Sequence, residues 1–142
     1  MQKEVVITRI WHKDLIKLLP RQQLLGQWRE CVAIAKSVHE KGTPNHVLVN
    51  RIIDYPLDHF YTYCKLIQQE MYRRGYKMTL SATGKIYTEL WHYIEYDELF
   101  KNWHNSRYLY QCLLNLQEKR DCHAISNEEW KKITDEYKMI IS

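Results

Sequence analysis

The chain has 142 residues, 45% apolar and 27% charged, a mixture that suits one globular domain and excludes disorder as a whole-chain description. Mean hydropathy is −0.57 and no apolar run nears the roughly 18 residues of a spanning helix, so no membrane partner is expected. The start, Met1 to Ile7, carries an acid and too short an apolar stretch for a secretory signal, and a soluble, cytoplasmic protein is expected. The 21 Lys and Arg against 17 Asp and Glu give +4, which permits a polyanionic partner without demanding one.

Glycine (4) and proline (3) are scarce, which favours helices over a many-stranded sheet protein. In chain order, Val5-Val6-Ile7 is the only strand candidate and reads equally well as an extended arm. A short helix is predicted over Lys13 to Leu19, stopped by Pro20. A long one runs from Arg21 to Lys41 and closes at Gly42, with Leu24, Trp28, Cys31, Val32, Ala35 and Val38 on its apolar face. A third segment covers Asn45 to Asp54. A fourth covers Leu57 to Arg74, with Phe60, Cys64, Ile67 and Met71 buried and Gly75 as its stop. Residues 76 to 90 are less periodic, with Ser81 to Lys85 a loop, and Asp97 to Trp103 is a short helical stretch. Another helix spans Ser106 to Lys119. Ser126-Asn127-Glu128-Glu129 is a capping box opening a last helix with Trp130, Ile133 and Tyr137. No repeat or linker divides the chain.

Cys31, Cys64, Cys112 and Cys122 show no Cys-x-x-Cys spacing and read as reduced thiols, three of them in apolar stripes. The histidines form no metal-ligand spacing, and neither a metal nor a cofactor is expected. The informative surface is the side of the long helix opposite its apolar stripe. At 100° per residue it gathers Gln22, Gly26, Arg29, Glu30, Ala33 and Ser37, flanked by Gln23 and Gln27. Amides predominate, and Gly26 costs about 1 kcal/mol of helix propensity. Two readings stay open on this pattern: a recessed polar site around Glu30, or a solvated face that tolerates a glycine.

The segment Thr8-Arg9-Ile10 followed by Leu19-Pro20-Arg21-Gln22-Gln23-Leu24-Leu25-Gly26-Gln27-Trp28-Arg29-Glu30 resembles the endonuclease V family of pyrimidine-dimer DNA glycosylases. That family opens on Thr-Arg-Ile and later carries Leu-x-x-Gln-x-Leu-x-small-x-aromatic-Arg-Glu. Arg9-Ile10-Trp11-His12-Lys13-Asp14-Leu15-Ile16 is closer still to its bacterial and phage branch. Glu70-Met71-Tyr72-Arg73-Arg74-Gly75-Tyr76 and His104-Asn105 extend the similarity. The resemblance implies an all-α, compact single-domain fold of about five helices, endonuclease V-like, over residues 8–142, with residues 1–7 an N-terminal extension.

It also implies cofactor-free chemistry on double-stranded DNA. In the family an α-amine attacks the sugar C1′ and expels the base, and the imine so formed permits strand β-elimination. A carboxylate stabilises the sugar cation while arginines hold phosphates. By position, Glu30 is the carboxylate, Thr8 the residue of the amine, Arg29 and Arg9 phosphate clamps, and Gln22 and Gln23 groove contacts. Gln27 belongs to the same lined hollow, and Arg21, Arg73 and Arg74 are further backbone contacts. Trp11 and His12 stand beside the site either as substrate-side residues or as core. The chemistry fits these types: an α-amine is uncharged nearer neutral pH than a lysine, and a fixed anion steadies a developing oxocarbenium ion.

The sequence also departs from the family's pattern. Thr8 follows Ile7, so its nitrogen is an amide; one extra position lies between Thr8 and Leu19; and Ala33 replaces a second phosphate-binding arginine. Three routes follow. Processing exposes the Thr8 amine; a lysine such as Lys13, or water, supplies the nucleophile; or the scaffold binds DNA, a nucleotide or a protein partner, or hydrolyses a small nucleoside or nucleotide, without lyase chemistry.

Overall fold

The computed structural model describes residues 9–44, 49–77 and 92–142. Within them lie four α-helices, α1 (Arg21–Lys41), α2 (Leu57–Arg73), α3 (Ser106–Asp121) and α4 (Asn127–Ile141), and three 3-10 helices at Lys13–Leu18, Asn50–Asp54 and Tyr96–Glu98. The fold is all-α, as the scarcity of glycine and proline implies.

The helix ends follow local chemistry. Gly42 closes α1 in the left-handed region (φ 76°), and its N–H donates to the Val38 carbonyl. Gly75 does the same for the turn after α2 (φ 79°). Asn105 caps α3 through its side chain, and Ser126 and Glu129 form both halves of the capping box of α4. α1 packs on α2, α2 on the first and second 3-10 helices, and α3 on α4. Leu24, Cys31 and Ile34 meet Phe60, Cys64 and Ile67 in a core that Leu15, Leu116 and Ile133 extend. Cys31, Cys64 and Cys112 are buried there as small apolar groups, and Cys122 is exposed.

Four expectations need adjustment. The stretch from Lys13 is 3-10 and ends at Leu18, because Leu19 is already extended ahead of Pro20. Of the third segment, residues 45–48 lie outside the described residues and the remainder is a 3-10 helix. Asp97 to Trp103 is no helix beyond Glu98: Phe100 and Asn102 take positive φ (51° and 77°), reversing the chain so that Phe100 and Trp103 both enter the core. Gln27 faces the core rather than flanking the polar side, being i+3 from Leu24 and i−4 from Cys31. Val5-Val6-Ile7, Thr8 and the Ser81 to Lys85 loop lie outside the described residues.

Candidate active site around Glu30

The stretch from Arg9 to His12 lies against α1 without regular secondary structure, so its backbone groups need partners from side chains. Gln27 supplies them. Its Oε1 accepts from the Trp11 N–H (2.8 Å) and the Tyr63 hydroxyl (2.9 Å), and its Nε2 donates to the Arg9 carbonyl (3.3 Å) and to Glu30 Oε1 (3.2 Å). At 1% exposure every polar atom of this amide is engaged within the protein, so Gln27 contacts no ligand and instead sets the position of Glu30. Tyr63 on α2 also donates to the Trp11 carbonyl (2.6 Å), and Tyr108 on α3 to the Ile10 carbonyl (2.5 Å). Three helices thus fix the strip on which Arg9 stands. Glu30 itself is half-buried, one turn along from Gln27.

Arg9 is half-buried, its guanidinium 5.8 Å from the Trp11 ring centroid and in contact with the Tyr108 hydroxyl and the Cys112 thiol. Burial raises the pKa of both groups, so both stay protonated beside the cation. Arg29 is exposed and lies across Gly26: a Cβ built on Gly26 would meet its Nη2 at 3.9 Å, and among the described residues no other atom within 4 Å. Gln22 is exposed, while Gln23 is half-buried with its Oε1 buried and lacking a donor among the described residues.

The remaining candidates have the following surroundings. Trp11 is buried packing (4% exposed). His12 is buried, accepts the Asp14 N–H on Nδ1 (3.0 Å) and stacks on His104 with ring centroids 4.9 Å apart. Burial outweighs the nearby Asp14 and lowers its pKa. Lys13, one candidate nucleophile, donates its Nζ to the carbonyls of Leu99 (3.0 Å) and Tyr96, with burial lowering its pKa against the pull of Asp14, Asp97 and Glu98. It lines a cavity of about 520 Å³ with Glu70, Arg73 and Tyr96, in whose walls Glu30 takes no part.

Arg74 is an internal tie: it donates to Glu70 (2.7 Å) and to the carbonyls of Leu19 (2.8 Å) and Lys17 (3.1 Å). Arg73 is largely exposed and holds both oxygens of the same carboxylate. Arg21 lies at the start of α1, 4.6 Å over the Tyr76 ring. Thr8 lies outside the described residues. Sequence reasoning missed Tyr63 and Tyr108 as the hydroxyls that hold the 9–12 strip. Tyr63 sits i+3 from Phe60 on the buried stripe of α2, a spacing that marks it as core, but no pattern in the sequence says which backbone carbonyl its hydroxyl reaches.

Among the described residues no cluster of three or more His, Cys, Asp or Glu side chains is arranged to hold a metal, and no described helix is long and apolar enough to cross a membrane. Comparison with curated proteins and with solved structures returns no match. A family model described as pyrimidine dimer DNA glycosylase matches residues 8–83, the span that contains Arg9, Gln27, Arg29, Glu30 and Tyr63. With more than half of its length so matched, the chain belongs to the pyrimidine dimer DNA glycosylase family.

Proposed function

We propose that the protein cleaves the N-glycosidic bond of a damaged base in double-stranded DNA, with Glu30 as its catalytic carboxylate. The observation that carries this reading is the amide of Gln27. A glutamate on a solvated helix face needs no buried partner, yet here a buried amide donates to Glu30 and is itself locked by three other hydrogen bonds. An anion held this way pays no reorganisation when positive charge develops on the sugar ring beside it, which is the condition for electrostatic stabilisation of an oxocarbenium-like transition state.

Arg9 and Arg29 would hold phosphates on either side of the lesion, since guanidinium suits the two oxygens of a phosphodiester. Gln22 and Gln23 would contact the groove, Gln23 with an acceptor that lacks a donor of its own. The engagement of Lys13 with two carbonyls argues against it as the attacking amine. The chemistry then divides between water, activated by Glu30 as general base, and a Thr8 amine freed by cleavage of the Ile7–Thr8 peptide bond.

The test is base release from a duplex carrying a single cyclobutane dimer, with borohydride present in a parallel reaction. Glu30→Gln is expected to lower the release rate roughly 100- to 1000-fold while retaining affinity for the duplex. A covalent adduct trapped by borohydride assigns an amine nucleophile; release without an adduct assigns water. Duplex binding with no base release by the unaltered protein would identify a DNA-binding member of the family without this chemistry.

A further inference from the structure

A second polar cavity, of about 330 Å³, opens where the first 3-10 helix, the start of α1, the end of α2 and the face of α4 converge. Among the described residues five cationic side chains line it, Lys17, Arg21, Arg73, Arg74 and Lys132, against a single acid, Glu129. Such a concentration of like charge in one hollow costs Coulomb energy. The arrangement of its acceptors shows what that charge is available for.

Several acceptors near the cavity are already engaged by the protein itself. Arg74 takes the carbonyls of Lys17 and Leu19, and Arg73 and Arg74 together take the neighbouring Glu70 carboxylate. Glu129 turns back to its own helix, its Oε1 accepting the Ser126 N–H and hydroxyl at 3.1 Å each. Donors remain. Lys17 and Lys132 are exposed and form no ion pair among the described residues, and Arg21 rests on the Tyr76 face with its edge N–H groups unused. The first turn of α1 adds to them: Pro20 brings no side-chain cap, and no acid sits in that turn.

We infer that this cavity, in whose walls Glu30 takes no part, is a seat for one phosphodiester group of the DNA backbone. The inference rests on DNA as the substrate. It goes beyond the Glu30 site in recruiting Lys17, Tyr76 and Lys132, the last of them on α4, outside the span matched by the family. A phosphodiester fits because its two anionic oxygens meet lysines from two elements and a ring-stacked guanidinium.

The test measures binding of the full chain to a short undamaged duplex by fluorescence anisotropy over a series of KCl concentrations. Removing one seated phosphate lowers the slope of log affinity against log salt by about 0.9. The double variant Lys17→Gln with Lys132→Gln is therefore expected to lose that much slope, and about tenfold in affinity at low salt, equally for damaged and undamaged duplexes. Lys101→Gln, an exposed lysine paired with Glu98, serves as the charge control and is expected to leave the slope unchanged.

An unaltered slope in the double variant overturns the proposal, as does an equal loss in the control. A second arm uses inorganic phosphate alone: stabilisation of the unaltered protein, abolished in the double variant while duplex binding stays the same, would assign the cavity to a free phosphate and overturn the DNA seat. Because the duplex is undamaged, these results hold whether or not Glu30 proves catalytic.

Discussion

Gln27 joins backbone and chemistry through one amide group. Replacing it by leucine nearly keeps the volume but leaves the Trp11 N–H and the Arg9 carbonyl without their partner, the Tyr63 hydroxyl keeping only the Trp11 carbonyl. Gln27→Leu is expected to cost about 2–4 kcal/mol of stability, read as a fall in the denaturant midpoint. It is also expected to slow base release in the fraction that stays folded, since Glu30 loses its positioning partner. The types of these residues were legible from the sequence, and so was the resemblance that singles out Glu30. The hub was not. Period-3.6 spacing puts Gln27 on the core side with Leu24 and Cys31, but a glutamine among glutamines reads as surface until the strip that needs its amide is seen to lie against the helix.

At the scale of elements, the 3-10 helix of Lys13–Leu18 and the start of α1 hang on Arg74 at the end of α2. Burial on its own would raise the Glu70 pKa, but the hydrogen bonds and charges of Arg73 and Arg74 together outweigh it and hold the carboxyl below its ordinary value. Arg74→Ala removes the less exposed of the two partners and two carbonyl contacts at once. It is expected to destabilise by roughly 2–4 kcal/mol, with Arg73→Ala, largely exposed, costing much less; thermal melts of the two variants side by side make the comparison.

Helix limits were the most readable feature: Gly42, Gly75 and the Ser126 box mark their ends by backbone geometry that few residues allow. The turn at Phe100 and Asn102 was not readable, because neither residue announces a positive φ. Tertiary burial of Phe100 and Trp103 dictates it.

For the whole molecule, the response to acid follows from imidazoles enclosed in the core. Burial holds His104 well below the ordinary histidine range, with His12, Lys13 and Arg51 adding to the effect, and burial lowers His59 as well. His104 Nδ1 accepts the Lys13 N–H (3.0 Å), so a proton there would set donor against donor. With folded pKa values depressed, the unfolded chain binds more protons than the native one as pH falls. Stability is thus complete above the unfolded value of about 6.5 and declines below it. Melting temperatures taken from neutral pH to pH 5 are expected to fall before most carboxylates titrate. His104→Asn, which keeps an acceptor for Lys13 and removes the titrating ring, is expected to flatten that fall.

The strip at Arg9 to Trp11 has one more consequence. Its docking against α1 and the locking of the Gln27 amide are a single event, since the same group binds both the strip and Glu30. A nascent or partly unravelled chain, with its leading segment still adrift, holds that carboxylate in no fixed direction. The direction of Glu30 is therefore settled by the docking of this segment and not by α1 alone.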